Sequence, residues 1–159
     1  MQLQNNAEIV YVFDTNARQL ENNYFIEKYI DELKKNIFSE FPGQIAYFCK
    51  ENPLLDKPNS NLNLNLSGMV YGKNEGLENF LPNINSGFIQ GNFNPLFLLK
   101  SEDQFKLELD KFIQKFSRLS ADERSGWVCS LSHGVLPKSK EDNVKHFISE
   151  VRSVFSEID

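Results

Sequence analysis

The sequence predicts an α/β domain built on a parallel sheet of about five strands. Short apolar runs alternate with amphipathic segments of helical period along the 159 residues, and strands that alternate with helices pair in parallel through right-handed crossovers. The composition, 40% hydrophobic and 25% charged, is that of one globular domain over residues 1–159. Five parallel strands form either an open doubly wound sheet or part of an eight-stranded barrel. A complete barrel needs about 250 residues, so this chain is too short to close one alone.

Three strands are expected in the first half of the chain, at residues 8–13, 44–49 and, more weakly, 66–71. Asn22 or Asn23 caps a helix that ends at Phe41-Pro42-Gly43. The apolar face of this helix is predicted to comprise Ile26, Tyr29, Ile30, Leu33 and Ile37. Residues 53–65 are rich in Asn and indicate a long loop or a degraded helix, although their Asn-Leu alternation also resembles a strand.

The second half is expected to contain a short helix at residues 76–81 and strands at 87–90 and from Trp127. Ser101 with Gln104 predicts a capping box, and Ser139 with Asp142 predicts the N-cap of a terminal helix. Apolar residues at helical spacing follow each cap: Phe105, Leu109, Phe112, Ile113 and Phe116 after the first, and Val144, Phe147, Ile148, Val151, Val154, Phe155 and Ile158 after the second.

Several classes of function are unsupported by the sequence. The formal net charge of -5 provides no basic stripe, so neither nucleic acid nor an anionic membrane is an expected partner. Cys49 and Cys129 lie far apart in apolar runs and have no metal-binding spacing with His133 or His146, which indicates small core residues and no metal site. Phosphate-loop and nucleophile-elbow motifs are absent. Without a membrane-length apolar stretch or a leader pattern, the expected location is the cytoplasm.

Polar side chains follow four of the five predicted strands at their carboxyl ends. Because parallel strands place these ends on one edge of the sheet, the side chains are expected to converge on one ligand. They are Asp14 and Thr15, Lys50 and Glu51, Gln90, Asn92 and Asn94, and Ser132 and His133. The alternative is structural: Asp14, Asn92 and Asn94 would hold their loops by side-chain to backbone hydrogen bonds, and His133 would be a loop residue.

Read in order, these motifs resemble the C-terminal part of the uroporphyrinogen decarboxylase family, whose members show F-[DE]-[ST], F-x-K, L-Q-G-N-x-D-P and L-G-H-G, then a proline-led loop and E-N-V. The matching segments are Val12-Phe13-Asp14-Thr15, Tyr47-Phe48-Cys49-Lys50, Phe88-Ile89-Gln90-Gly91-Asn92-Phe93-Asn94-Pro95, Ser132-His133-Gly134-Val135-Leu136-Pro137 and Glu141-Asp142-Asn143-Val144. The resemblance covers nearly the whole chain but only about the last half of a family member. It implies the last five strand–helix units of a TIM-type (β/α)8 barrel.

The resemblance also implies a function. Family members convert the four acetate arms of uroporphyrinogen to methyls, giving coproporphyrinogen in haem and porphyrin biosynthesis, and they use no metal or organic cofactor. Thr15 and His133 would then bind carboxylates of the tetrapyrrole substrate. Asp14, Lys50, Gln90 and Asn92 are weaker candidates, and Lys50 would alternatively pair with Asp14 or Glu51.

Departures from the family pattern leave other functions open. Arg18 stands where glycine is common, Val70-Tyr71-Gly72 replaces Leu-Asp-Trp, Asn94 replaces an aspartate, and Ser132 replaces a glycine. The family's catalytic aspartate and substrate-binding arginines belong to an N-terminal half that this sequence does not contain, so the isolated chain is expected to be inactive. Unpaired parallel edges predict a homodimer, or a partner that supplies the rest of the barrel. The alternatives are a divergent, non-catalytic relative that binds a tetrapyrrole or a protein, and a fragment without a function of its own.

Overall fold

Five strands form a single sheet in the computed structural model, which describes residues 2–51, 53–56, 64–84 and 86–156. Each strand pairs in parallel with the next along the chain. A doubly wound sheet reverses its strand order at a switch point, whereas a barrel adds its strands in one direction. The uninterrupted order therefore favours the barrel interpretation and confirms the α/β class. The strands are β1 (Val10–Phe13), β2 (Ile45–Phe48), β3 (Gly68–Val70), β4 (Phe88–Phe93) and β5 (Trp127–Leu131).

Helices connect the strands and cover one face of the sheet. Helix α1, at residues 22–38, is continuous but alternates between α-helical turns at Asn22–Tyr24 and Ile30–Leu33 and π-helical turns at Phe25–Tyr29 and Lys34–Phe38. The others are α2 (Leu77–Phe80), α3 (Glu102–Phe116), α4 (Ala121–Arg124) and α5 (Glu141–Phe155). Short 3-10 turns occur at Leu3–Asn5, Ala17–Gln19, Pro53–Asp56, Leu81–Asn83 and Pro95–Leu99.

The π-helical turns change the face that α1 buries. A π-helical turn takes one residue more than an α-helical turn, so the contacts drift away from strict 3.6-residue spacing. Ile26 and Ile30 are buried as predicted, but Phe25 and Phe38 are buried as well. Three residues of the predicted face, Tyr29, Leu33 and Ile37, are only half-buried.

The helix-side face of the sheet carries two apolar core clusters. The α1 cluster joins β1 and β2 to α1 and includes Phe25, Ile30, Phe38, Ile45 and Tyr47. The α3–α5 cluster joins β4 and β5 to the C-terminal helices and includes Ile89, Phe93, Phe105, Leu109, Phe112, Phe116 and Phe147. Met69 of β3 packs against both clusters.

The opposite face of the sheet is concave. Neighbouring strands are about 4.8 Å apart, so side chains of the first and fourth strands meet only if the sheet curves strongly. The Tyr11 hydroxyl of β1 donates a hydrogen bond of 2.8 Å to Oε1 of Gln90 on β4. The ring centroids of Tyr11 and Phe88 lie 6.1 Å apart. This curvature is that of a barrel wall.

The predicted helix caps are wrong in detail. Ser101 precedes α3, but its side chain makes no capping hydrogen bond. Helix α5 begins at Glu141 after Lys140, which displaces Ser139 from the cap position, and Ser139 Oγ is buried without a partner in the described structure. The capping box that does form lies at α4, where Ser120 Oγ accepts from the Glu123 amide and Glu123 Oε2 accepts from the Ser120 amide. Helix α4 itself was not predicted.

The predicted segments otherwise correspond to observed elements, with different boundaries. Strand β4 continues through Phe93, beyond the predicted end at residue 90. Most of the Asn-rich segment, at residues 57–63, and Ile158 lie outside the described residues. Among the helices that the structure describes, none combines the length and apolar character needed to cross a membrane.

Candidate functional site

The carboxyl ends of the strands enclose a cleft of about 450 Å³, here called the strand-end cleft. It receives residues from all five strands or from the loops that follow them. The lining residues are Phe13, Thr15, Phe48, Val70, Gln90, Ser130, Leu131, His133, Gly134 and Val135. Of the predicted site residues, Thr15, Gln90 and His133 are brought together here. A larger cavity, of about 560 Å³, lies near Gly43 and Leu66 and is lined by none of the predicted site residues.

The side chain of Gln90 is held by Tyr11, which also determines which group of the Gln90 amide can contact a ligand. Its Oε1 accepts the hydrogen bond from the Tyr11 hydroxyl, which leaves the Nε2 amide as a donor toward the cleft. Burial raises the pKa of Tyr11 above its ordinary value, so the phenol remains a neutral donor. Gln90 thus presents two N–H donors to a bound acceptor.

His133 stands on an anchored turn. The preceding residue, Ser132, is fully buried, and its Oγ donates to Asn74 Oδ1 at 2.7 Å. The backbone N–H of Ser132 also donates to the Phe93 carbonyl at 2.9 Å, which continues the β4–β5 ladder past the end of β5. His133 is half-buried, so its ring lines the cleft from a fixed backbone.

The apolar lining is unusually accessible on two sides. Phe13 is 71% exposed and Val135 is 59% exposed, and both line the cleft. The Phe13 ring also contacts the rings of Tyr11 and Phe48, each at a centroid distance of 5.8 Å. Exposed apolar side chains beside a few hydrogen-bonding groups are typical of a ligand-binding groove or an interaction surface.

Asp14 does not reach the cleft. Its Oδ2 accepts hydrogen bonds from the hydroxyls of Tyr29, at 2.6 Å, and Tyr47, at 2.9 Å, on the helix side of the sheet. Burial, and next the hydrogen bond to Asp14, raise the pKa of Tyr29 to about 12, and the same two causes raise the pKa of Tyr47. Asp14 therefore fixes the loop that carries Thr15 by side-chain contacts to tyrosines, and not by the backbone contacts of the structural alternative.

Of the other weaker candidates, Gln90 lines the cleft, but Lys50 and Asn92 lie elsewhere. Lys50 is not among the lining residues of the cleft, and Glu51 pairs with Arg18 at 3.3 Å. Asn92 is only 2% exposed and lines a separate cavity on the helix side. Asn94 does act locally, as the structural alternative proposed, because its Oδ1 accepts from the Leu96 amide at 3.0 Å.

Seven lining residues were missed as candidates: Phe13, Phe48, Val70, Ser130, Leu131, Gly134 and Val135. Period-two alternation was the available signal for the first four. In strands, every second residue shares a face, so residues in step with Gln90 on neighbouring strands could have been identified as inward-facing from the strand assignments alone.

Within the described residues, no group of three or more His, Cys, Asp or Glu side chains is placed to hold a metal ion.

Comparison with known sequences identifies the family: a family profile described as "Uroporphyrinogen decarboxylase (URO-D)" matches residues 1–154. The chain belongs to the uroporphyrinogen decarboxylase family.

Several curated proteins named uroporphyrinogen decarboxylase are similar to this family member. That of Chlorobium phaeobacteroides is 28% identical over an alignment of 158 positions, which covers 96% of this chain and 44% of the relative. That of Francisella philomiragia is 25% identical over 160 aligned positions, which cover 95% of this chain and 44% of the relative. That of Rickettsia bellii is 26% identical over 167 aligned positions, which cover 95% of this chain and 44% of the relative. The chain thus spans less than half the length of these relatives.

Proposed function

We propose that this chain forms the C-terminal part of a uroporphyrinogen decarboxylase active site and binds a tetrapyrrole in the strand-end cleft. The observation that carries the proposal is the convergence of Thr15, Gln90 and His133 in one cleft with exposed apolar walls. Membership of the family supports the same ligand. The hydroxyl, amide and imidazole groups would donate hydrogen bonds to carboxylate arms, while Phe13 and Val135 pack against the macrocycle.

The chemistry of the cleft limits what this chain does in the reaction. Removal of an acetate carboxylate breaks a carbon–carbon bond, releases carbon dioxide and adds a proton to the remaining carbon. Electrostatic stabilisation of the protonated pyrrole requires groups preorganised around it. Among the described residues that line the cleft, there is no carboxylate and no arginine. The role proposed for this chain is therefore to bind and orient the substrate, while the charged groups come from outside these residues.

The free edges of the sheet fit this division of roles. In the described structure β1 pairs only with β2, and β5 only with β4. Parallel strands with an unpaired edge readily accept another strand. We propose that a homodimer contact or a partner supplying further barrel strands covers these edges and completes the site.

Binding of coproporphyrin, whose only acidic groups are propionate arms, tests the role of the cleft. A charge-assisted hydrogen bond contributes about 1.5–3 kcal/mol, so His133→Ala should weaken binding about tenfold or somewhat more. His146→Ala is the matched control, because His146 is also half-buried but packs edge-on against Phe105, at a centroid distance of 6.0 Å, on the helix side. It should leave binding within about twofold.

Fluorescence titration of the porphyrin against both variants and the unaltered chain gives the result. Equal effects of the two substitutions, or no binding by the unaltered chain, would contradict the proposal. Turnover is a second readout: the 159-residue chain alone should consume little or no uroporphyrinogen. Turnover at an ordinary enzyme rate would show that groups outside the chain are not needed.

A further inference from the structure

A smaller cavity, of about 210 Å³, lies on the helix side of the sheet beside the carboxyl end of β4. It is here called the helix-side cavity, and it does not share a lining residue with the strand-end cleft. Its walls come from the loop after β3, from β4 and the turn that follows it, and from α3. Its polar lining residues include Asn74, Glu75, Asn92, Asn94, Lys111 and Lys115.

Asn92 is the residue that makes this cavity unusual. It is 2% exposed, and its Nδ2 is buried without a hydrogen-bond partner in the described part of the chain. A buried donor without an acceptor is costly, and such groups in native proteins generally have a ligand, ion or water as their partner. Asn92 lines the cavity, so a ligand or water bound there is the candidate partner for this amide.

The two other asparagines of the cavity also offer donors. Oδ1 of Asn74 accepts from the Ser132 hydroxyl, and Oδ1 of Asn94 accepts from the Leu96 amide. An asparagine whose oxygen is engaged has its NH₂ group left for other partners. The cavity is therefore surrounded by amide donors.

Two lysines of α3 add positive charge. Lys111 and Lys115 are four residues apart on one face of the helix. Their carboxylate neighbours lie at long distances, 3.4 Å from Lys111 Nζ to Glu108 and 3.6 Å from Lys115 Nζ to Glu78. Glu108 is engaged more closely by Lys100, at 2.8 Å. The two glutamates are only 20% and 21% exposed, but the lysines are 57% and 44% exposed. Ion pairs at such long distances are weak, so both ammonium groups can still contact another anion.

We propose that the helix-side cavity binds a small oxyanion, a phosphate or a carboxylate, held by Asn92, Lys111 and Lys115. The donors come from Asn74, Asn92, Asn94, Lys111 and Lys115. Two carboxylates also line the cavity: Glu108, which pairs with Lys100 and Lys111, and the exposed Glu75. Removal of Glu75 should strengthen binding, whereas removal of either lysine should weaken binding.

The test is an NMR titration of the 159-residue chain with inorganic phosphate, and separately with acetate, at constant ionic strength. Saturable shifts of the Asn92 side-chain amide are expected in the millimolar range with one or both anions, and the anion that gives the tighter binding identifies the class. Lys115→Gln should weaken binding about threefold to tenfold. Glu75→Gln should strengthen binding about twofold.

Lys106→Gln is the matched control. Lys106 lies on the same helix, its side chain is 44% exposed like that of Lys115, and it also pairs with a glutamate, Glu102. It does not line the cavity, so its substitution should leave binding unchanged within about twofold. Equal weakening by Lys106→Gln and Lys115→Gln would reduce the effect to overall charge and overturn the proposal. A titration in which neither anion gives a saturable shift would also overturn the proposal, because water would then be the partner of Asn92.

Discussion

Asp14 offers the sharpest test of how the loop before the cleft is held. Its carboxylate accepts two tyrosine hydrogen bonds, from Tyr29 and from the fully buried Tyr47. We predict that Asp14→Ala destabilises the fold strongly, because it leaves the buried Tyr47 hydroxyl without an acceptor. Asp14→Asn should cost much less, because the amide oxygen still accepts.

The magnitudes follow from the two contacts. A hydrogen bond to a charged group contributes about 1.5–3 kcal/mol, and an orphaned buried donor costs a similar amount. Since Asp14 is only half-buried, the lower values apply, and Asp14→Ala should lower the free energy of unfolding by about 3 kcal/mol. Asp14→Asn exchanges charge-assisted bonds for neutral ones of about half the strength, which should cost about 1.5 kcal/mol.

Thermal and urea unfolding measure these differences. For a chain of this length each kcal/mol shifts Tm by about 2–4 °C, so the Tm of the alanine variant should be about 6–12 °C lower. Asp110→Asn on α3 is the control, because Asp110 is exposed and its substitution should change stability by less than about 0.5 kcal/mol. The reasoning is refuted if Asp14→Ala costs no more than Asp14→Asn, since the loss would not then arise from orphaned hydroxyls.

Two further predictions concern ionisation. Folding raises the pKa of Tyr29 from 10.0 to about 12, so its contribution to stability is present below pH 10 and is lost as the pH rises through about 12. The free energy of unfolding, measured against pH over this range, should therefore fall less steeply in Tyr29→Phe than in the unaltered chain. An unchanged slope would contradict the assignment. Burial first, and then the negative charge of Asp14, raise the pKa of Cys49 from 9.0 to about 11. The Cys49 thiol of a Cys129→Ala chain should therefore react slowly with a thiol reagent at pH 8 in the folded protein and quickly in the unfolded protein. Equal reaction rates in the two states would contradict this prediction.

The sequence predicted the order of elements because the apolar runs and their spacing depend mainly on burial. All five strands occur where β-favouring runs stand between turn residues. The π-helical turns of α1 could not be foreseen, because helical periodicity is read at 3.6 residues per turn. Phe25 and Phe38 were accordingly missed as core residues, and their burial depends on packing against β2.

The site was predictable in part, through the alternation of side chains along a strand. Continuing that alternation past β1 would have separated Thr15, which lines the cleft, from Asp14, which faces the helices. The same rule would have placed Asn92 beside Gln90 in the cleft, and there it fails, because Asn92 lines the helix-side cavity. Capping motifs were equally ambiguous: Ser101 and Ser120 both precede a matching residue at the third position, but only Ser120 closes the box.

The position of Met69 between the two core clusters has a consequence for local opening of the fold. Strands β2 and β3 share only two register pairs, Ala46 with Gly68 and Tyr47 with Met69, whereas β4 and β5 share five. A long, flexible thioether side chain packs there against both cores. Segments joined by so few register pairs can open as cooperative units, and the free energy of this local opening is smaller than that of global unfolding. Amides of β1 and β2 would then exchange with solvent as one group while β4 and β5 stay protected. The Tyr11–Gln90 hydrogen bond and the Tyr11–Phe88 ring contact, both across the concave face, oppose this opening.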